Sequence, residues 1–286
     1  MRDTQAGGWR AHALSAPAVL YVGVLVVGPL VMLLAYSVWT QDYLDIKREF
    51  TWANYDNAVS DPLVRLLMTR SLWVASLVAT VTVLLAYPIA LFIAFRARRK
   101  SLWLILVTVP FWTSYLLRVF AWKLILGYNG VLNSGLLAVG AIDAPLTFIL
   151  YNQGAVVLTL AHAWAPFAIL PIYVSLQKID RSLLEAAADL GCSRWQRFVR
   201  VTLPLWIPGV LAAWLIIFIP TIGDYVTPSL VGGTDGKLIA NLVQVMFGRA
   251  NDWPFGSALA LMALAMVGVA ALVVALGTRR AAGRIT

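Results

Sequence analysis

Cysteine is almost missing from this chain of 286 residues: Cys192 stands alone. That excludes an intrachain disulfide and any multi-cysteine zinc or iron–sulfur site. Histidine is nearly as scarce, and His12 and His162 lie too far apart in sequence to read as a metal-binding pair. Charge is thin as well, since Asp, Glu, Lys and Arg make up 12% of the chain against 61% apolar residues. The mean hydropathy is +0.81. A water-soluble core of this length has no use for so much apolar surface. Also missing are GxxxxGK[ST], HExxH and GxSxG patterns, so phosphate-loop, zinc-peptidase and serine-hydrolase chemistry is not written here. The net charge of +9 is not the mark of a nucleic-acid protein, because the cations sit in short clusters between apolar blocks. That pattern belongs to a membrane surface, with lipid as its neighbour.

Crossing a ~30 Å hydrocarbon layer takes roughly 20 apolar residues. Stretches free of charge predict six helices at 17–39, 71–95, 102–126, 152–177, 205–223 and 256–277. The blocks are long and uniformly apolar, which favours helices over the short alternating segments of a barrel. The first is too long for a secretory leader and lacks a small-residue cleavage site, so it is expected to stay attached. Lys and Arg set the orientation. Fourteen of the 22 fall at one set of ends, among them Arg2, Arg10, the 96–100 cluster, Arg194, Arg197, Arg200 and Arg284, and six at the other. Both termini are therefore expected in the cytoplasm, with external loops near 40–70, 127–151 and 224–255. Pro88, Pro110, Pro166, Pro171, Pro208 and Pro220 lie inside the predicted spans, where each removes a backbone donor and favours a kink. Trp39, Trp52, Trp103, Trp112, Trp122, Trp206 and Trp253 lie near span ends, as an interfacial aromatic belt does.

The segment between the fourth and fifth spans carries the clearest local signals. Ser182 followed by Glu185 reads as a capping box and Gly191 as a stop, predicting a short helix over 183–190. Leu183, Leu184, Ala187 and Ala188 share one face of it, with Glu185 and Asp189 on the other. A second helical piece over 194–203 carries Arg194, Arg197 and Arg200 and is expected to end at Pro204. Small alanines offer little area to a lipid surface but admit a close protein neighbour, so a docking element is the expectation over a merely interfacial helix.

Glu185-Ala186-Ala187, then Gly191, then Val201-Thr202-Leu203-Pro204 resembles the EAA loop of permease subunits of ABC importers, with Val201 where the pattern has Ile. Pro110-Phe111-Trp112-Thr113-Ser114-Tyr115-Leu116-Leu117-Arg118, the run from Gly130 to Asn133, and Asp252-Trp253-Pro254-Phe255-Gly256 resemble the spermidine/putrescine branch, and the similarity covers nearly the whole chain. The resemblance implies an all-α, six-span permease of the type I importer architecture in a bacterial inner membrane. It implies one permease domain over 1–286, with a first helix at 17–39, a five-helix core at 71–277 and a coupling loop at 178–204. Glu185, Ala186, Ala187, Gly191, Leu203 and Pro204 would dock a cytoplasmic ATPase. The implied partners are a second permease, a dimer of ATPase subunits that bind ATP and Mg, and an extracytoplasmic substrate-binding protein. The chain itself would hold no cofactor and would transport rather than catalyse. Another small organic cation or amine-containing solute is the alternative cargo.

For the path, Asp224 falls ~30 Å along a helix from Pro204, at the outer end of the fifth span. Pro220, Gly223, Tyr225 and Pro228 surround it, so irregular backbone lining a cavity is expected. An acid among aromatics suits a polyamine. Trp112, Tyr115 and Arg118 belong to the same candidate path, Arg118 lying ~24 Å along a straight third helix. A cation there would repel a polycation unless neutralised. His162, mid-span, is expected to be a packed or hydrogen-bonded helix residue.

Overall fold

The computed structural model describes residues 8–43 and 45–282; Arg2 and Arg284, counted above, lie outside the described residues. The elements are α1 (Gly8–Ser37), a hairpin of β1 (Thr40–Asp42) and β2 (Asp45–Lys47), α2 (Ala53–Ser60), α3 (Pro62–Phe95) and α4 (Lys100–Thr108). A 3-10 turn (Val109–Trp112) follows, then α5 (Tyr115–Leu126), α6 (Val131–Ala138), α7 (Gln153–Gln177), α8 (Arg181–Asp189) and α9 (Arg194–Arg197). A π turn (Phe198–Thr202) leads into α10 (Leu203–Ile222), α11 (Val226–Val231), α12 (Ile239–Phe247) and α13 (Trp253–Ala282). Five of the described helices are long and apolar enough to cross a membrane, and six spans result if the bent pair in the third segment is one.

Two compact units divide the chain. The first, Met1–Pro62 with Val243–Met262, is organised by polar ties around the end of α1. Asn54 Nδ2 donates to the Ser37 and Trp39 carbonyls at 2.9 and 2.8 Å, and the Tyr55 hydroxyl donates to Ser37 Oγ at 2.8 Å. The hairpin is antiparallel with Thr40 opposite Lys47, and Lys47 pairs with Asp42 at 2.5 Å. The 40–70 segment is therefore folded rather than a plain loop.

The second unit, Leu63–Leu242 with Ala263–Thr286, holds the core. On α3 the buried positions include Val64, Leu67, Ser71, Val74, Ala75, Val78, Ala79, Thr82, Ala86 and Ala90, a helical stripe rich in small residues that lets backbones approach closely. Helix α7, capped by Asn152 whose Oδ1 accepts from the Ala155 N–H at 2.9 Å, packs on α4, α5, α10 and α11. Its closest neighbour is α10: a Cβ at Gly209 would overlap the Ser175 side chain and come within 3.0 Å of the Pro171 carbonyl. The 127–151 segment is tied by Asn133, fully buried, which donates to the Tyr128 and Leu146 carbonyls at 3.1 and 3.2 Å and accepts from the Leu146 N–H at 2.9 Å.

Three expectations are corrected. The second span is not 71–95 but begins at Pro62, since proline fits the first turn of a helix and Arg65 and Arg70 continue it without a break. The third span is not one helix: the axes on either side of Thr113 and Ser114 meet at 87°. Pro110 cannot donate inside a continuing helix, and Thr113 and Ser114 take extended backbone with ψ of 150° and 136°. The piece before Pro204 does not stop there, because the π turn passes directly into α10 with proline in its first turn. The wider turn accommodates a residue that has no N–H to give.

Candidate functional site

In the 178–204 loop, α8 is capped by Asp180 rather than Ser182. The Asp180 backbone is extended and its Oδ1 accepts the Ser182 N–H at 3.0 Å. Both residues are good caps, and the earlier one wins because Arg181 already has helical backbone. That donated N–H holds the Asp180 carboxyl below the usual carboxylate range. The reciprocal capping box lies instead at α9: Ser193 Oγ accepts the Gln196 N–H at 3.2 Å and Gln196 Oε1 accepts the Ser193 N–H at 2.9 Å. A Ser-x-x-Gln signal was present there and went unread. Gly191 ends α8 at φ +78°, with its N–H on the Ala188 carbonyl at 2.9 Å and the Cys192 N–H on the Ala187 carbonyl at 3.0 Å. These paired bonds form a Schellman motif, which needs the left-handed backbone that glycine alone adopts freely.

α8 packs on α9 and the π turn. Ala187 is buried while Leu183, Glu185, Ala186, Ala188 and Asp189 are exposed. Ala187 is thus covered within this chain, whereas Glu185 and Ala186 lie open to solvent. Leu203 and Pro204 open α10; their side chains fall outside what is described. Behind the loop, Trp195, Phe198, Tyr87 and Trp206 form a run of ring contacts, the Tyr87–Trp206 pair stacked at 4.5 Å.

The path residues fare unequally. Asp224 is not an exposed loop acid but is 9% accessible. Its Oδ2 accepts the Tyr115 hydroxyl at 2.6 Å and its Oδ1 accepts the Val226 and Thr227 N–H groups at 2.9 and 3.4 Å. Because the phenol proton goes to Asp224, the Thr227 hydroxyl at 2.5 Å donates to the phenol oxygen. Arg118 joins them through its guanidinium, 5.9 Å from the Tyr115 ring centre. Trp112 is 78% exposed and Tyr225 46%, so neither enters this cluster; Tyr225 contributes its carbonyl, which accepts from Asn241 Nδ2 at 2.9 Å. His162 is hydrogen-bonded as expected, its Nδ1 accepting from Trp122 Nε1 at 3.1 Å. Trp164 and Phe167, which line the cluster, were missed: on an apolar helix nothing separates a site aromatic from a packing one.

Residues 24–285 match the family described as binding-protein-dependent transport system inner membrane component. The chain is 37% identical over 247 residues to the spermidine/putrescine transport system permease protein PotB of Escherichia coli (strain K12), covering 86% of this chain and 89% of that protein. It is 36% identical over 235 residues to the protein of the same name from Haemophilus influenzae, covering 82% of each. The fold is similar to a chain in the crystal structure of a bacterial alginate ABC transporter in complex with alginate pentasaccharide-bound periplasmic protein, with a TM-score of 0.74 and 16% identity over 97% of this chain and 95% of that one. Such low identity speaks to fold alone. With the family match running from the first apolar helix to the last, the chain belongs to the inner membrane components of binding-protein-dependent transport systems and is a multi-pass protein of the inner membrane.

Proposed function

We propose that this chain is one of two permease subunits of an ATP-driven importer of polyamines of the spermidine and putrescine kind. Cargo reaches it from an extracytoplasmic binding protein, and ATP with Mg is bound and hydrolysed on a dimer of separate cytoplasmic subunits. The 178–204 loop and both termini face the cytoplasm. The observation that carries the substrate class is the likeness, over most of both chains, to permease proteins named for spermidine and putrescine transport. The buried Asp224 carboxylate, bonded to the Tyr115 phenol whose ring stacks on Trp164, is suitable chemistry for an ammonium, pairing charge with π faces.

The exposed Glu185–Ala186 face of α8 is the ATPase contact. The test separates docking from loop folding. Ala186→Arg, on the open face, leaves membrane insertion and recovery of the sister permease unchanged, yet the ATPase co-purifies poorly and uptake of radiolabelled spermidine falls at least tenfold in cells relying on this transporter. Normal ATPase recovery together with normal uptake in Ala186→Arg rules the docking face out. Absence of spermidine and putrescine uptake by the unmodified, fully assembled transporter rules out the cargo.

A further inference from the structure

Four aromatic rings follow one another beside Asp224. Phe111 meets Phe167 edge to face at 4.8 Å between centroids, Phe167 meets Trp164 at 5.6 Å, and Trp164 lies over Tyr115 at 6.1 Å. Tyr115 in turn hydrogen-bonds the Asp224 carboxylate. What closes the chain of rings is a cation: the Arg118 guanidinium stands 5.3 Å from the Phe111 centroid and 5.9 Å from that of Tyr115.

Arg118 is held loosely for a cation in such a place. No ion pair joins it to a carboxylate among the described residues. One nitrogen donates to the Ala163 carbonyl at 3.0 Å, and its Nε is buried with no partner. The carboxylate nearest in the network, Asp224, spends its oxygens on Tyr115, Val226 and Thr227. From Lys100 the chain climbs about 21 Å through α4 and the 3-10 turn and then swings through 87°. Arg118 lies one turn past that bend, so the ~24 Å rise expected of a straight helix does not apply. A guanidinium whose Nε is buried without a partner, on a segment of apolar helices and with no carboxylate paired to it among the described residues, marks a functional place.

Guanidinium and alkylammonium ions are drawn to the same aromatic faces by the same ring quadrupole. We propose that Arg118 is a resident stand-in for the ammonium group of the cargo: its guanidinium occupies the faces of Phe111 and Tyr115 between transport events, and an incoming ammonium displaces it, coming to rest on those faces beside Asp224. The proposal rests on the reading of the chain as a path for polyamines. It turns the repulsion that Arg118 would exert on a polycation into a step of exchange, one cation leaving as another arrives.

The experiment uses the assembled transporter in proteoliposomes, with uptake of radiolabelled spermidine as readout. Arg118→Gln keeps a donor for the Ala163 carbonyl but removes the cation, and KM falls by roughly tenfold, the scale of a desolvated cation–π contact. Methylguanidinium then competes with spermidine in Arg118→Gln at concentrations that leave the unmodified transporter unaffected, because it refills the vacated faces. Arg118→Lys, which keeps a cation, stays within about twofold of the unmodified KM. An unchanged KM in Arg118→Gln overturns the proposal, as does a lowered KM without methylguanidinium competition, which makes Arg118 a source of repulsion only. Failure of Arg118→Gln, but not Arg118→Lys, to assemble makes it a structural tie and overturns it too. Asp224→Asn keeps the two readings apart. A raised KM there with a neutral Arg118→Gln removes the stand-in and leaves the polyamine path; no change in either variant removes the path as well.

Discussion

Asp180 shows how one exposed side chain sets the geometry of a loop. Its carboxylate accepts the Ser182 N–H and fixes the first turn of α8, and the same bond lowers its pKa. A carboxyl whose pKa is depressed on folding stabilises the folded loop fully above the unfolded value of about 3.9 and loses that contribution as pH falls through the lowered folded value. Hydrogen exchange across 181–185, corrected for intrinsic rates, is therefore expected to be flat between about pH 6 and 8 and to accelerate in Asp180→Ala at neutral pH. Acceleration on moving from pH 8 to 6 in the unmodified protein contradicts the assignment. The sequence put this cap two residues late because Ser182 and Glu185 satisfy the capping pattern as well as Asp180 does; only the backbone of Arg181 decides between them. Asp224 was less legible still. Its partner Tyr115 lies 109 residues away, and no local pattern announces a contact across that distance.

Among the elements, the packed pair of α7 and α10 depends on a missing side chain. Gly209 lets Ser175 and the Pro171 carbonyl come close, and overpacking of such a contact costs about 1–3 kcal/mol. Gly209→Ala is expected to lower the thermal unfolding midpoint of the purified protein. Ser175→Gly in the same chain is expected to recover part of the loss, while its effect in the unmodified protein has the opposite sign; additive behaviour of the two changes sinks the contact. The extents of α7 and α10 were readable because a hydrocarbon layer of fixed thickness dictates the length of an apolar run. The break at Thr113 and Ser114 was not, since the residues on either side are equally apolar and hydropathy carries no direction. Pro110 was the available sign, and it was read as a kink rather than a right angle. Gly191, by contrast, could be placed from sequence alone, because few residues other than glycine serve a left-handed helix end at so little cost.

Orientation is a property of the whole molecule. Single cysteines replacing the exposed Asn57 and Asp143 in a Cys192→Ser background are expected to react with an impermeant thiol reagent in intact cells, and one replacing exposed Asp189 only after the membrane is opened. Labelling of all three in intact cells defeats the six-span arrangement. The asymmetry of Lys and Arg suffices to make this prediction because translocating cations is costly wherever they fall in the fold. The division into two compact units had no comparable signal, for α12 and α13 each run across the boundary without a change of composition.

The 34 residues of α3 make a rod about 51 Å long, whereas the hydrocarbon it crosses is only about 30 Å thick. A rod that outreaches the layer in which it is mounted has leverage. If its Phe95 end is the pivot, a tilt of about 10° carries the Pro62 end through roughly 9 Å, several times the displacement of any point within the last turns. The first three turns also carry a load, since Ser71 Oγ accepts the Ile239 N–H at 2.8 Å and Arg70 reaches the Thr234 and Lys237 carbonyls. Under such a tilt the 234–239 segment, bonded to those turns, would be carried along by several ångströms.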